Sequence, residues 1–210
     1  MTTLLVIAKE PRPGRVKTRL TPPYTPVQAA ALAEAALADT LATVAASSAR
    51  RRILVLDGAP GDWLPAGIEV VPQAAGGLDE RIAAAFSLCR GPALLIGMDT
   101  PQVTPELLGP ALEPGPGDGA DAWFGPATDG GFWALGLTRP DPGLVLGVPM
   151  STPHTGTAQR DRLIAAGLSV RDLPELRDVD TARDARLVAA DAPAGRFAAL
   201  VTGLASAGVR

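Results

Sequence analysis

The chain has 210 residues, of which 47% are hydrophobic and 20% are charged, and its formal net charge is -3. This length and composition predict one globular domain spanning residues 1–210. The acidic balance argues against broad nucleic-acid binding, which depends on many contacts from Lys and Arg to phosphate. The N-terminus lacks the pattern of a secretory signal, and no apolar run reaches the ~18 to 20 residues that span a bilayer. We therefore predict a cytoplasmic protein that binds neither nucleic acid nor membrane.

Apolar runs alternate with helical patterns along the chain. Strands are predicted at "TLLVIAK", "RRILVLDG", "GIEVVPQ", "PALLIGMD", "GADAWFGPA" and "GGFWALGL", and an extended segment at "SVRDLPEL". Helices are predicted from Thr25 or Pro26 to about Ser47 and at "GLDERIAAAFSLCRG", "TPELLGPALE", "TAQRDRLIAAGL", "DTARDARLVAA" and "GRFAALVTGLASA".

The alternation of strands and helices is typical of α/β proteins, because parallel strands need helical crossovers. It predicts a three-layer α/β/α sandwich with a mainly parallel, mixed sheet. The two strands joined by "TDG" depart from the alternation, so we expect at least one antiparallel strand. The Pro- and Gly-rich stretch "EPGPGDGAD" predicts a mobile loop.

A basic loop follows the first predicted strand. Residues 9–19 contain five cations and one acid. Ligands of open α/β sheets bind beyond the carboxyl ends of the strands, and Lys and Arg side chains there can meet several phosphate oxygens. A solvated surface loop is the alternative, but a cluster of like charges after a buried strand favours a multiply charged anion. The predicted phosphate-binding residues are Lys9, Pro13, Gly14, Arg15, Lys17 and Arg19.

Neither common phosphate-binding motif is present in this loop. The Walker A pattern lacks its glycine before Lys17, and no G-x-G-x-x-G follows the first strand. A P-loop NTPase and a dinucleotide-binding protein are therefore disfavoured.

Aspartates follow buried or extended segments and form a candidate metal site. Asp99 ends the strand "PALLIGMD", and Asp178 and Asp180 precede a predicted helix in "RDVDTARD". Mg²⁺ commonly binds one or two carboxylates together with substrate phosphates. Asp180 or Thr181 could instead cap the helix, and the two roles can coexist.

A second polar cluster predicts a site for the other substrate. In "GPATDGGFWALGL" a charged side chain is followed by two glycines, although Asp-Gly is also a common hairpin turn. "PMSTPHTGT" adds hydroxyls that could bind phosphate or cap a helix. The predicted acceptor-binding residues are Asp129, Gly130, Gly131, Ser151 and Thr152. The single histidine, His154, has no partner that would suggest zinc or a hydrolase triad.

Five segments, in order, resemble a known family: "AKEPRPGRVKTRL", "GMDTPQV", "GPATDGGFWALGL", "STP" and "DVDTARD". They are similar to uncharacterised bacterial glycosyltransferase-like proteins of the GT-A superfamily, which are relatives of 2-phospho-lactate guanylyltransferase. The resemblance covers about residues 4–188. It implies a nucleotide-diphospho-sugar-transferase fold that binds a nucleoside triphosphate or a nucleotide sugar with Mg²⁺ or Mn²⁺. The full D-x-D motif of many glycosyltransferases is absent, because Gly97 and Met98 precede Asp99.

By position, the resemblance assigns roles to individual residues. Lys9, Lys17 and Arg19 would contact phosphates, Asp99 and Asp180 would bind the metal, and Asp129, Gly130 and Gly131 would border the second substrate.

The leading functional prediction is metal-dependent transfer of a nucleotidyl group from a nucleoside triphosphate to a small phosphorylated or phosphonylated acceptor. Lys17 and Arg19 would offset charge in the transition state. Glycosyl transfer from a nucleotide sugar is the alternative reaction, with Asp129 as base. A non-catalytic nucleotide-binding module is the alternative of another class. A separation of the Asp99 and Asp180 carboxylates below about 7 Å would favour the enzyme. The nucleotide base, acceptor and oligomeric state stay open.

Overall fold

The computed structural model describes residues 2–114 and 119–207, so that part of the predicted mobile loop at 113–121 lies outside the described residues. Within these ranges the chain forms seven strands and six α-helices. The strands are β1 (Thr3–Lys9), β2 (Arg51–Asp57), β3 (Glu69–Pro72), β4 (Ala93–Ile96), β5 (Ala122–Pro126), β6 (Phe132–Leu137) and β7 (Val170–Asp172). The helices are α1 (Pro26–Ala46), α2 (Leu78–Ser87), α3 (Pro105–Leu112), α4 (Thr155–Ala165), α5 (Ala182–Asp191) and α6 (Arg196–Ala207).

All seven strands form one sheet in the order β3-β2-β1-β4-β6-β5-β7. Of these strands, β6 alone is antiparallel to its neighbours, β4 and β5. The other pairs are parallel, so the carboxyl ends of six strands share one edge of the sheet. The predicted mixed, mainly parallel sheet is confirmed.

Both faces of the sheet are covered by helices, because the strands are apolar on both sides. Alternate residues of β1 point to opposite faces, so that Leu4 packs with α1 and α3 while Leu5 packs with α2 and α4. Helices α5 and α6 pack against the outer side of α1 in a third cluster. The three-layer α/β/α arrangement is therefore confirmed, with α5 and α6 added outside one helical layer.

Helix α1 begins where the sequence predicts. Thr25 and Gln28 form a reciprocal capping box, with the Thr25 hydroxyl accepting from the Gln28 amide at 3.2 Å, and Pro26 occupies the first turn. Among the described helices, α1 is the one long and apolar enough to cross a membrane by length and composition, which corrects the expectation that no segment reaches this length. Its 18-residue apolar window is 56% buried inside the fold, as is typical of a core helix.

Candidate functional site

The charged residues of the candidate site converge at the carboxyl edge of the sheet. Lys9 is the last residue of β1, and Asp99 lies three residues beyond the end of β4. The chain segment 176–180, which leads from β7 to α5, runs beside both the loop after β5 and the loop after β4. Its Leu176 amide donates to the Pro126 carbonyl at 3.1 Å, and its Val179 amide donates to the Asp99 carbonyl at 2.9 Å.

Lys17 lies at the centre of this cluster. Its Nζ is 2.8 Å from Asp99 Oδ1 and 3.5 Å from Asp180 Oδ1, and only 9% of its side chain is exposed. Burial alone would lower the pKa of this amine, but the contact with Asp99 and the charges of Asp180 and Asp178 outweigh it, so the pKa is raised. Lys17 is therefore a charged ammonium held between carboxylates.

Both carboxylates contact the same nitrogen, which limits the distance between them. Asp99 Oδ1 and Asp180 Oδ1 cannot be farther apart than 2.8 Å plus 3.5 Å, which is below the separation of about 7 Å that a hydrated cation can bridge.

The backbone that carries Asp180 is fixed by two local features. The hydrogen bond from Val179 to Asp99 draws the segment toward β4, and the buried Val179 side chain anchors it in the hydrophobic cluster beneath. Thr181, not Asp180, caps α5: its hydroxyl accepts from the Asp184 amide at 3.2 Å. The Asp180 carboxylate is thus left to its contacts with Lys17 and Arg19.

The rest of the basic loop faces solvent. Arg19 Nη1 donates to Asp180 Oδ2 at 3.1 Å with 75% of its side chain exposed. Arg12 contacts Glu10 at 2.6 Å. The remaining predicted phosphate-binding residues are also exposed: Lys9 at the end of β1, and Pro13, Gly14 and Arg15 on the loop. The structure thus brings Lys17 and Arg19 to the aspartates and leaves the others at the solvent side of the loop.

Asp178 lies deeper than the two carboxylates that contact Lys17. Its Oδ1 is buried and has no hydrogen-bond partner among the described residues. Burial, together with the nearby charges of Asp99 and Asp129, raises its pKa from 3.8 to about 7. The site therefore holds more negative charge than Lys17 alone neutralises.

These residues fit a hard divalent cation. The ligands would be carboxylate oxygens, which Mg²⁺ and Mn²⁺ prefer, and the buried Asp178 Oδ1 accepts no hydrogen bond from any described residue. Across residues 2–114 and 119–207, however, no three His, Cys, Asp or Glu side chains are already gathered as a metal-binding group. The carboxylates of Asp99 and Asp180 are 38% and 35% exposed, and Lys17 Nζ contacts one oxygen of each.

The glycines that follow Asp129 have a packing role. Gly130 has a φ of +88°, and a Cβ there would collide with the Pro153 carbonyl oxygen. The Gly156 amide donates to the Gly130 carbonyl at 2.8 Å, so the turn after β5 packs directly on the start of α4. Asp129 itself is exposed and accepts from the Gly131 amide at 2.8 Å, which orients its carboxylate.

The structure brings the other predicted acceptor residues to this same turn. Ser151 is exposed, and its backbone has a left-handed conformation with a φ of +59°. The exposed Thr152 side chain accepts from the His154 amide at 3.2 Å, and its main chain accepts from Thr155. The negative charge of Asp129 is one of the causes that raise the pKa of Asp178. The predicted acceptor-binding residues therefore lie near the aspartate cluster.

Three polar residues at the same sheet edge were not predicted from the sequence. Asp57 ends β2 and lies in register with Lys9 on β1. Arg81 Nη1 is 3.5 Å from Asp57 Oδ2. Gln73 donates to the carbonyls of Ala8 and Val55 at 2.6 and 3.1 Å. A signal was available for Asp57, because it follows an apolar run of the sequence as Asp99 does, whereas the positions of Gln73 and Arg81 depend on tertiary contacts.

The solved structures that share this fold indicate that the chain is a transferase of the nucleotidyl- or sugar-transferase type. The chain belongs to the family DUF2064, described as uncharacterized proteins conserved in bacteria, whose model matches residues 28–152. Lys17 and Asp180 lie outside the matched range. The predicted family resemblance, fold class and transferase class are confirmed. No significant match was found among curated proteins.

Solved structures show the same fold. A protein from Desulfovibrio desulfuricans G20, provisionally assigned as a nucleotide-diphospho-sugar transferase, is 26% identical, with a TM-score of 0.86 over 98% of this chain and 95% of that chain. The manganese complex of Rv0371c from Mycobacterium tuberculosis H37Rv is 21% identical, with a TM-score of 0.52 over 89% and 97%. CMP:2-keto-3-deoxy-manno-octonic acid synthetase complexed with CTP is 13% identical, with a TM-score of 0.56 over 91% and 98%.

Proposed function

We propose that this protein is a metal-dependent nucleotidyltransferase that transfers a nucleoside monophosphate from a nucleoside triphosphate to a small phosphorylated or phosphonylated acceptor and releases pyrophosphate. The observation that carries this proposal is the buried Lys17 ammonium between Asp99 and Asp180 at the carboxyl edge of the sheet. A binding module without catalysis would not need a buried cation and several carboxylates in contact.

The exposed part of the basic loop would bind the polyphosphate. Lys9 reaches solvent at the end of β1, and Arg15 and Arg19 reach solvent on the loop that follows. Gly14 leaves the main chain of this loop open, with no described atom within 4 Å of the position of a Cβ. Lys17 and Arg19 would offset the negative charge that grows on the leaving pyrophosphate.

Asp99 and Asp180 would hold Mg²⁺ or Mn²⁺, with Asp178 as the deeper carboxylate beside them. Bound there, the ion would polarise phosphoryl oxygens and lower the charge repulsion that an anionic acceptor meets. The manganese complex of Rv0371c and the CTP complex of the octonic acid synthetase are consistent with a metal and a nucleotide in this fold.

The acceptor would lie toward Asp129 and the start of α4. A phosphate or phosphonate oxygen is already an anion and can attack the α-phosphorus without a protein base. The chain has one histidine, His154, which is exposed at the start of α4. Ser151 and Thr152 would donate hydroxyl hydrogen bonds to the acceptor.

Glycosyl transfer from a nucleotide sugar is the second candidate, and the 26% identity with the Desulfovibrio protein favours it. A sugar hydroxyl is a poorer nucleophile than a phosphate oxygen, and Asp129 would then serve as the base. Its exposure and its orientation by the Gly131 amide suit this role.

A pyrophosphate-release assay separates the two reactions. The protein would be incubated with each nucleoside triphosphate, Mg²⁺ and a panel of phosphorylated acids, and in parallel with nucleotide sugars. We expect acceptor-dependent pyrophosphate release that falls at least about 100-fold in Asp99→Asn.

Asp172→Asn is the matched control, because Asp172 forms an exposed ion pair with Arg160 at 3.0 Å on β7, the outermost strand of the sheet, and has no contact with Lys17 among the described residues. It should retain wild-type activity. Turnover of a nucleotide sugar without pyrophosphate release, or full activity in Asp99→Asn, would contradict the proposal.

A further inference from the structure

The contact between Lys17 and the two aspartates has a consequence for metal binding. The ammonium lies inside the cluster with 9% of its side chain exposed, whereas the carboxylates of Asp99 and Asp180 are 38% and 35% exposed. The space between the two carboxylates is therefore filled by a cation of the protein itself.

We propose that Lys17 holds the position between Asp99 and Asp180 that the divalent cation takes during catalysis, so that Lys17 and the metal exclude each other. This inference rests on the proposed function for the identity of the metal ligands. An ammonium and a divalent ion repel one another, and an ion that bridges Asp99 Oδ1 and Asp180 Oδ1 would meet Nζ, which lies 2.8 and 3.5 Å from these two oxygens. The free protein should consequently bind a divalent cation weakly.

The main chain at Lys17 allows the side chain to leave while the loop stays in place. Its carbonyl accepts from the Leu20 amide at 2.9 Å, and Leu20 is fully buried, so the turn is anchored. The side chain has a flexible four-carbon stem, and within residues 2–114 and 119–207 no aromatic ring or bidentate partner fixes it.

The polyphosphate supplies a new partner for the displaced ammonium. Exposed Lys9 and Arg15 place the phosphates on the same loop, and phosphate oxygens can accept from Lys17 as the metal enters between the aspartates. Metal and nucleotide therefore bind together, and Lys17 couples the two events.

Opposite effects of one substitution test this coupling. Mn²⁺ would be titrated into the 210-residue protein without nucleotide, and the signal of free Mn²⁺ would be followed by electron paramagnetic resonance. We expect Lys17→Met to bind Mn²⁺ at least about tenfold more tightly than the wild type, because a competing positive charge has been removed.

In EDTA, the same variant should bind nucleoside triphosphate at least about tenfold more weakly, since it has lost a phosphate contact. Arg15→Met is the matched control: it removes a cation from the same loop, and that cation has no ion pair with an aspartate among the described residues. Its Mn²⁺ affinity should stay within about twofold of the wild type. The gain in Lys17→Met should also be lost when Asp99→Asn is added.

Unchanged or weaker Mn²⁺ binding in Lys17→Met overturns the inference. If that variant does not fold, the wild-type protein provides the test through nuclear magnetic resonance of its lysine side chains, with Lys17→Arg used to assign the signal. A saturable shift of the Lys17 signal with Mg²⁺ supports displacement, and Mg²⁺ binding that leaves the signal unmoved overturns it.

The Mn²⁺ and Mg²⁺ titrations contain no nucleotide, and this separates the two claims. Absence of pyrophosphate release together with tighter Mn²⁺ binding in Lys17→Met would contradict the proposed function alone. Robust pyrophosphate release with unchanged Mn²⁺ affinity would contradict the inference alone.

Discussion

At the scale of single residues, the site is defined by the imbalance of charge around Lys17. One ammonium contacts Asp99 and Asp180, while the buried Asp178 oxygen beneath them has no hydrogen-bond partner in the described part of the chain. Because the desolvation of a carboxylate is costly, such an arrangement stores free energy that a bound cation can release. The metal-free protein should therefore show a measurable stability cost at this position.

Asp178 makes the stability of the metal-free protein depend on pH. Its pKa is about 7 in the folded state against an ordinary value of 3.8, so between these values the folded state binds a proton that the unfolded state lacks. The free energy of unfolding should fall as pH rises through this window, by at most about 1.4 kcal/mol per pH unit, and level off above pH ~7. Asp178→Asn should remove this contribution and be more stable than the wild type at pH 8.

Urea unfolding between pH 4 and pH 8 in EDTA would measure the difference between the two proteins. Asp172→Asn is the control, because it changes an exposed carboxylate that pairs with Arg160. Its free energy of unfolding should change with pH as steeply as that of the wild type, apart from the small contribution of this ion pair. Parallel wild-type and Asp178→Asn curves across the whole range would show that this carboxyl is ionised normally.

At the scale of elements, the sequence predicts those parts of the fold that local signals control. Strand β1 was predicted with the bounds Thr3–Lys9 because a continuous apolar run ends at prolines and a glycine. Helix α1 was predicted to within a residue at each end because Thr25 and Pro26 form a standard N-terminus. Strand β4 is shorter than predicted and ends at Ile96, because the chain bends at Met98 and Asp99.

The positions that bring the charged side chains together could be predicted from the sequence only in part. The position of Asp99 follows from the rule that parallel strands share a carboxyl edge. The position of Asp180 depends on the hydrogen bond from Val179 to the Asp99 carbonyl, which joins segments eighty residues apart and has no local signal. Likewise, the sequence predicts that Lys17 contacts phosphate but has no signal for its left-handed backbone, with a φ of +49°, or for its direct contacts with Asp99 and Asp180.

The contact between the turn after β5 and the start of α4 predicts an unequal response of two glycines. Gly130 and Gly167 both have positive φ, +88° and +78°. A Cβ on Gly130 would collide with the Pro153 carbonyl, whereas one on Gly167 would have no described atom within 4 Å. Gly167→Ala should lower the free energy of unfolding by about 1 kcal/mol from backbone strain, and Gly130→Ala by about 3 kcal/mol.

Thermal or urea unfolding of both variants at one pH would measure these losses. Gly130→Ala should also weaken acceptor binding, because the collision displaces the start of α4 from the turn that bears Asp129. Equal losses of stability in the two variants would mean that the two segments separate easily.

At the scale of the whole molecule, one hydrophobic cluster supports both sides of the charged site. Leu20, which follows the Lys17 turn, and Val179, which lies between Asp178 and Asp180, are buried in the same cluster. Leu32 of α1, Val188 of α5 and Phe197 of α6 complete its centre. Because the turn and the aspartate segment pack on common side chains, the C-terminal helices set the alignment of Lys17 with Asp180.

Two buried phenylalanines on opposite sides of the molecule test this dependence. Phe197 of α6 is 2% exposed in the cluster beneath the site, and Phe86 of α2 is fully buried on the other face of the sheet. Replacing either by leucine keeps an apolar side chain and should cost about 1–2 kcal/mol of unfolding free energy. The two losses should be similar, but only Phe197→Leu should loosen the packing that aligns Lys17 with Asp180.

Calorimetric titration with nucleoside triphosphate would measure this difference at a temperature where both variants are fully folded. Binding should be weaker by about fivefold or more in Phe197→Leu and near that of the wild type in Phe86→Leu. Equal nucleotide affinities at equal losses of stability would mean that the sheet edge alone positions the charged groups and that α6 has no part in it.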